Sequence, residues 1–322
     1  ALLQDELDFI ESNISIKKSR EISEKYARNI KGLLTEISPK EGYLEDLRDK
    51  LPISDISKSS IRILVDNMFG ATADYIEDLI DVNGSPIVID SINNYVNPSF
   101  PGIEKPEPIK ENLDKLSQRI KNENYALGLA FDLDGDRIGI VDENGEILET
   151  YQIFLLLLYY FLESQNERLP VVKSISVSNT ISNFAAHYKV PVVETPVGFK
   201  YLSKYLLSEE AMIAGEESGG FGFLDFKDRD GIVSSIYIIH LIIDSGLSIS
   251  QILESINKIT GPTYIARKDL EFNSINKSDL INSLKNLKPN DIYEFGLSYL
   301  DEQDGFKFSY NDGSWILIRI SG

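Results

Sequence analysis

Cysteine is absent from the 322 residues. That excludes disulfides and thiolate chemistry, and a reducing cytoplasm is the expected compartment. Histidine occurs only at His187 and His240. Both fall in helical patterns, "NFAAHYK" and "IYIIHLII", so each is expected to pack rather than catalyse, and no Ser-His-Asp arrangement follows from their spacing. No apolar run approaches the roughly 20 residues of a membrane span. The longest, "IFLLLLYYFL" from Ile153 to Leu162, is about half that length and reads as a buried helix. The opening "ALLQDELDFIESN" is acidic and lacks the basic start and small-residue cleavage site of a signal peptide. Positive charge is also scarce: 32 Lys and Arg stand against 51 Asp and Glu, a formal net charge of −19. A general nucleic-acid binder is thereby excluded, since neutralising phosphates needs a surplus of Lys and Arg. Nucleic acid and membrane are not expected partners. A small phosphorylated ligand stays compatible, because a few Arg side chains and backbone N–H groups suffice.

What is present is the mix of a globular protein, 42% hydrophobic and 26% charged, long enough for two or three domains. Residues 1–59 read as helical and polar: "SREISEKYARNIKGLL", a break at "SPKEG", and a short helix "YLEDLRDKL" stopped by Pro52. From residue 60 the chain alternates strand and helix: "IRILVD", the turn and helix of "NMFGATADYIEDLI", "SPIVID", a Pro-rich loop, "IKENLDKLSQRIKN" and "YALGLAFD". The alternation restarts after residue 150 with "PVVKSISVS", "NTISNFAAHYK", "VPVVETPV", "GFKYLSKYLLS", "AMIAGEESGGFGF" and "GIVSSIYIIHLIIDSG". Parallel strands joined by crossover helices explain both units. After Gly261-Pro262 a helix near "KSDLINSLKNL" and a hairpin "GFKFSYNDGSWILIRI" outline a smaller α+β part. The expected divisions are 1–59, 60–149, 150–260 and 261–322.

The stretch "LGLAFDLDGDRIGIVD" sets Asp132, Asp134 and Asp136 on alternate positions between two apolar runs. A loop that curls at Gly135 can aim all three carboxylates at one point, where they repel unless a cation intervenes. Hard oxygen ligands select Mg²⁺ or Ca²⁺ over zinc. An EF-hand loop fits Asp132, Asp134, Asp136 and Glu143 by count but needs Gly where Arg137 stands, and the flanks read as strands. A haloacid dehalogenase phosphatase is a second rival, since "FDLDGD" is similar to its nucleophile motif, with Asp136 in place of the usual Thr.

"DLDGDR" also resembles the metal loop of the α-D-phosphohexomutases, the family of phosphoglucomutase, phosphomannomutase and phosphoglucosamine mutase. Further segments resemble that family in its order. "NPSFPGIEKPEP" matches its Pro-rich loop, "ETPVGFKYL" a glycine turn, "AGEESGGFGF" the sugar-binding loop and "KDRDGI" the basic segment after it. The terminal "RISG" is similar to the start of the phosphate-binding loop. The resemblance implies two consecutive α/β/α domains with mixed sheets, the end of a first domain, and a partial α+β C-terminal domain. It implies transfer of a phosphoryl group between the C1 and C6 hydroxyls of a hexose phosphate, through a phosphoserine and a sugar bisphosphate.

By that resemblance Asp132, Asp134 and Asp136 hold Mg²⁺. Arg137 and Arg229 act at the transferring phosphoryl group, Arg229 as an electrostatic stabiliser rather than a base. Glu216 and Ser218 bind sugar hydroxyls, and Val197 and Gly198 contact the sugar through backbone atoms. Arg319, Ser321 and Gly322 grip the non-reacting phosphate, and Lys200 is a surface residue at the start of its helix. Hexose 1,6-bisphosphate is the implied activator of the complete enzyme. "ETPVGFK" leans toward glucose phosphate, with mannose phosphate second and glucosamine phosphate third. The hinge for closure on the sugar is expected near Gly261-Pro262. The family's serine loop, which reads like T-A-S-H-N-P, has no counterpart in the sequence. The chain by itself is therefore expected to bind without turning over, as a portion of an active mutase or as a non-catalytic binder.

Overall fold

Ile63, Leu64 and Val65 are all fully buried, as the central strand of a sheet covered on both faces requires. The computed structural model describes residues 4–14, 37–80, 84–270, 277–286 and 296–320. The helix read from "SREISEKYARNIKGLL" lies outside them.

The strand β1 (Arg62–Asp66) runs parallel to β2 (Val88–Ile92) and β3 (Leu127–Phe131), and β4 (Ile138–Val141) closes the sheet antiparallel to β3. The second unit repeats this plan. β5 (Val171–Ser174) lies parallel to β6 (Val192–Thr195) and β7 (Ile213–Gly215), and β8 (Phe221–Phe223) is antiparallel to β7. Strand orders are β2-β1-β3-β4 and β6-β5-β7-β8, so both sheets are mixed. A third, antiparallel sheet of order β11-β10-β9 contains β9 (Leu297–Asp301), β10 (Phe306–Tyr310) and β11 (Trp315–Ile318).

Before β1 come α1 (Gln4–Asn13), α2 (Lys40–Lys50) and α3 (Ile53–Ile56). The first unit adds α4 (Tyr75–Ile80) and α5 (Lys110–Glu123). The second adds α6 (Thr150–Tyr159), α7 (Thr180–His187), α8 (Phe199–Leu207), α9 (Gly231–Ser245) and α10 (Ile249–Thr260), and α11 (Lys277–Lys285) accompanies the third sheet. Among the described residues no single helix is long and apolar enough to cross a membrane.

Several expectations shift in detail. The helix expected at "YLEDLRDKL" starts earlier, at Lys40, with Pro39 at its N-cap, where a missing N–H is harmless. Leu44, Leu47 and Ile56 are buried in the same apolar cluster as Ile63 and Ile76, so α2 and α3 pack as part of the first α/β unit. The strand read from "SPIVID" begins only at Val88, beyond Pro86, which has no N–H to give to a ladder. "PVVKSISVS" stops as a strand at Ser174, because the chain turns there with Val177 N–H donating to the Ser174 carbonyl. The helix α10 was not read from the sequence, although Ser248 and Gln251 form a reciprocal capping box at its start.

The apolar α9 lies between the two units: it packs on β4 and α3 on one side and on β8 and α6 on the other. Its buried length, from Gly231 through Ile239, joins the two cores into one cluster. The loops at the C-terminal ends of β3 and β7 are thereby brought face to face.

Candidate active site

The aspartate loop is the hairpin between β3 and β4, whose last pair is Phe131 with Ile138. Gly135 turns it with φ +77°, and a Cβ there would lie 2.5 Å from Thr72 Cγ2. The loop is held from outside: Ala71 N–H donates to the Leu133 carbonyl at 2.8 Å, and Gly231 N–H at the start of α9 donates to the Gly135 carbonyl at 2.9 Å. Asp132 is buried, Asp136 half-buried and Asp134 exposed, and an oxygen of each lies within 4.8 Å of the others. Burial, with the facing carboxylates of Asp136 and Asp134, pushes the Asp132 carboxyl up to about 7, against the hydrogen bond it accepts from Arg137 N–H. Asp136 Oδ1 is buried without a hydrogen-bond donor. An all-carboxylate set with an orphaned inward oxygen fits a hard divalent cation.

Arg137 lies against the same loop, its Nε 3.1 Å from Asp132 Oδ2 and 3.5 Å from Asp136 Oδ1, without the alignment of a hydrogen bond. Its Nη1 is 3.4 Å from Glu107 Oε1 in the Pro-rich loop. Those carboxylates, working against burial, hold the guanidinium more firmly protonated than usual.

The sugar-type turn, residues 216–220, joins β7 to β8, with Glu216 N–H donating to Gly220 C=O at 3.1 Å and Gly219 at φ +92°. Ile138 N–H donates to Gly219 C=O at 3.1 Å, which ties this turn to the aspartate hairpin. Glu216 is buried, and burial raises its carboxyl pKa despite the charge of Arg229. Its Oε1 accepts from Gly198 N–H at 3.0 Å and its Oε2 lies 3.3 Å from Arg229 Nη1. Arg229 Nη2 pairs with Asp136. One guanidinium thus spans both loops. Gly220 makes room for it, since a Cβ there would lie 2.4 Å from Arg229 Cδ.

Gly198, at φ +127°, leads into α8, and the preceding Val197 N–H donates to Asp304 Oδ2 at 2.7 Å. The other oxygen of Asp304 holds Arg319 Nε at 3.0 Å. The C-terminal hairpin therefore reaches the glycine turn through one carboxylate. Ser218 is exposed at the tip of its turn, and Lys200 is exposed on α8 with its ammonium 5.2 Å from the Tyr201 ring. Ser321 and Gly322 lie outside the described residues. His240 Nδ1 is 3.1 Å from the Tyr160 hydroxyl, away from both loops.

Two cavities open on the carboxylates that hold Arg229. One, of about 310 Å³, is lined by Tyr151, Val197, Glu216, Glu217, Arg267 and Arg319 among others. The second, also about 310 Å³, is lined by Tyr43, Thr72, Asp134, Asp136, Arg229 and Asp230 among others. Asp304, and Arg267 with its ion pair to Glu217 at 3.0 Å, were not singled out from the sequence. Neither residue carries a local signal of what it meets across the fold.

The phosphoglucomutase/phosphomannomutase models of α/β/α domain II and α/β/α domain III match residues 41–145 and 149–259. The chain belongs to the phosphoglucomutase/phosphomannomutase family. It is 28% identical over 281 residues to a phosphoglucomutase/phosphomannomutase of Thermococcus kodakarensis, covering 87% of this chain and 58% of the relative. It is 27% identical over 293 residues to a probable phosphoglucosamine mutase of Pyrococcus horikoshii, covering 90% and 61%. A crystal structure of a putative phosphomannomutase from Thermus thermophilus superposes with a TM-score of 0.74 at 26% identity, over 88% of this chain and 60% of that one. The chain thus spans about six tenths of the length of these family members. The first domain model begins at residue 41, inside the helix α2 that packs on the first unit of this family member.

Proposed function

We propose that this chain carries the metal-binding and sugar-binding parts of a Mg²⁺-dependent phosphohexomutase, an enzyme that interconverts hexose 1-phosphate and hexose 6-phosphate. The observation that carries the reading is Arg229, which meets Asp136 of the aspartate loop and Glu216 of the sugar-type turn at once. Phosphoryl transfer depends on positioning and charge neutralisation more than on covalent work by the protein. A cation site and a hydroxyl-accepting carboxylate one side chain apart satisfy that need.

Asp132, Asp134 and Asp136 would hold Mg²⁺, which when bound supplies charge neutralisation at phosphoryl oxygens. Arg137 and Arg229 offer N–H groups to the transferring phosphoryl group. Arg229 stays charged throughout and stabilises rather than accepts a proton. Glu216 accepts hydrogen bonds from neighbouring sugar hydroxyls, with Ser218 at the rim. The N–H groups of Val197 and Gly198 are engaged by Asp304 and Glu216, so backbone contact with the sugar falls to the carbonyls of these two residues. Arg319, with Ser321 and Gly322, takes the non-reacting phosphate. The substrate order is glucose phosphate, then mannose phosphate, then glucosamine phosphate, with hexose 1,6-bisphosphate as activator. No segment of the sequence reads like T-A-S-H-N-P, so on this reading turnover is expected of a protein that also carries that serine loop.

Calorimetric titration of the chain with glucose 1-phosphate, with and without Mg²⁺, tests the binding half: Mg²⁺-dependent binding is expected. A coupled mutase assay on a protein carrying both parts tests the rest. No binding here, or no turnover of any hexose 1-phosphate there, refutes the proposal.

A further inference from the structure

Asp230 is a junction. Its Oδ1 accepts from Val233 N–H at 2.9 Å and caps α9, and its own N–H donates to Phe221 C=O at 3.0 Å in β8. The next residue, Gly231, donates to Gly135 C=O in the aspartate loop at 2.9 Å. The remaining oxygen of Asp230, Oδ2, accepts at 2.7 Å from the hydroxyl of Tyr43, which comes from α2 in the first unit. Burial, and then the facing Asp230 carboxylate, drive the Tyr43 hydroxyl pKa far above its ordinary range, so it remains a donor at all working pH values. Tyr43 and Asp230 line the same cavity as Asp134, Asp136 and Arg229.

Arg229 directly precedes this junction. Its head is held by Asp136 and Glu216, and its own N–H is held by Asp228 Oδ1 at 2.9 Å. On its C-terminal side its backbone is fixed through the bonds of Asp230. We propose that Tyr43 is a positioning residue for Arg229: by bonding Asp230 it fixes the backbone from which the guanidinium reaches both loops. The inference rests on the reading of the site as a phosphohexomutase site. Tyr43 supplies no proton to the reaction.

Tyr43→Phe tests this with little disturbance, because the ring that packs 5.9 Å from Tyr75 is kept and only the O–H is lost. In the ¹⁵N-labelled full chain without ligand, the Arg229 Nε–Hε resonance, assigned by its loss in Arg229→Lys, is expected to shift or broaden in Tyr43→Phe. The Arg62 and Arg119 resonances, on the far side of the first sheet, stay in place. An unchanged Arg229 signal overturns the proposal.

Titration with glucose 1-phosphate in saturating Mg²⁺ adds a second readout. Tyr43→Phe is expected to weaken binding about tenfold, the effect of removing one buried partner of a carboxylate. The double variant with Arg229→Lys is expected to bind no more weakly than Arg229→Lys alone. Additive losses overturn the proposal. If the unmodified chain binds no sugar phosphate at all, the mutase reading fails, while the ligand-free Arg229 resonance still decides whether Tyr43 positions that side chain.

Discussion

Gly135 illustrates how a single position shapes the aspartate loop. Its φ of +77° and the 2.5 Å approach of a Cβ to Thr72 Cγ2 both exclude a side chain. Gly135→Ala is expected to cost about 1–2 kcal/mol from the left-handed backbone alone, with a further loss of Mg²⁺ affinity as the hairpin opens. Urea denaturation and metal titration measure the two effects. Asp134→Asn should separate them, because Asp134 is exposed and no described ion pair uses it. Stability should stay within about 0.5 kcal/mol, while Mg²⁺ affinity falls roughly tenfold or more with the loss of one charged ligand. Unchanged Mg²⁺ affinity would remove Asp134 from the cation site. The cluster of three aspartates was legible because it is written in alternate local spacing, whereas Glu216 and Gly198 stood out only through segments that resemble the family's. Tyr43, Asp230 and Asp304 were not legible: each is an ordinary helix, cap or turn residue in sequence, and its importance comes from a partner more than a hundred positions away.

Elements depend on charge as well as on apolar pattern, and the join between the second and third sheets shows this. Lys173 on β5 and Lys307 on β10 are both buried and both bond Glu194 on β6, with Lys307 also donating to the Ile175 carbonyl at 3.0 Å. Burial raises the pKa of the Glu194 carboxyl, but the Lys173 and Lys307 ammonium groups outweigh it and hold the group below the usual carboxylate range. The folded-state value therefore lies below the unfolded value of about 4.3. The stabilisation is complete above that value and is lost as pH falls through the folded-state value. Urea unfolding between pH 7 and pH 3 should show this acid-limb slope, and Glu194→Gln should flatten it. The same variant is expected to lose about 1–2 kcal/mol at pH 7, because two buried ammonium groups lose their counter-ion while solvent screens a carboxylate that is itself a third exposed. An unchanged slope would mean that Glu194 is not held as an anion. The sequence displayed the strands but not this pairing, since a lysine inside "VVKS" or "GFKF" reads as an outward residue of an alternating strand. The capping box of α10 is, by contrast, written locally in "SISQ".

At the scale of the molecule, the two cavities belong to different joins, and this makes their functions separable. The cavity bearing Asp134 and Asp136 lies where the first unit meets α9, whereas the one bearing Glu216 and Arg319 lies between the second unit and the C-terminal hairpin. The hairpin is held over its cavity by Asp304, which bonds Val197 N–H, and by Lys307 on Glu194, while the 261–270 segment is held by Arg267 on Glu217 and by Thr263 on Thr180. Removing the Asp304 carboxylate frees Arg319 and the glycine turn together but reaches nothing in the aspartate loop. Asp304→Ala is therefore expected to weaken glucose 1-phosphate binding about tenfold, the effect of one lost charge-assisted contact on each side of the cavity. Mg²⁺ affinity should be unchanged. Calorimetric titration of the variant with each ligand in turn makes the comparison. A parallel loss of Mg²⁺ affinity would mean that the C-terminal hairpin also bears on the aspartate loop, with Arg229, which pairs with Asp136 of one cavity and Glu216 of the other, as the carrier. Arg229→Lys should then abolish the parallel, because a point charge cannot hold Asp136 and Glu216 in one plane as the guanidinium does.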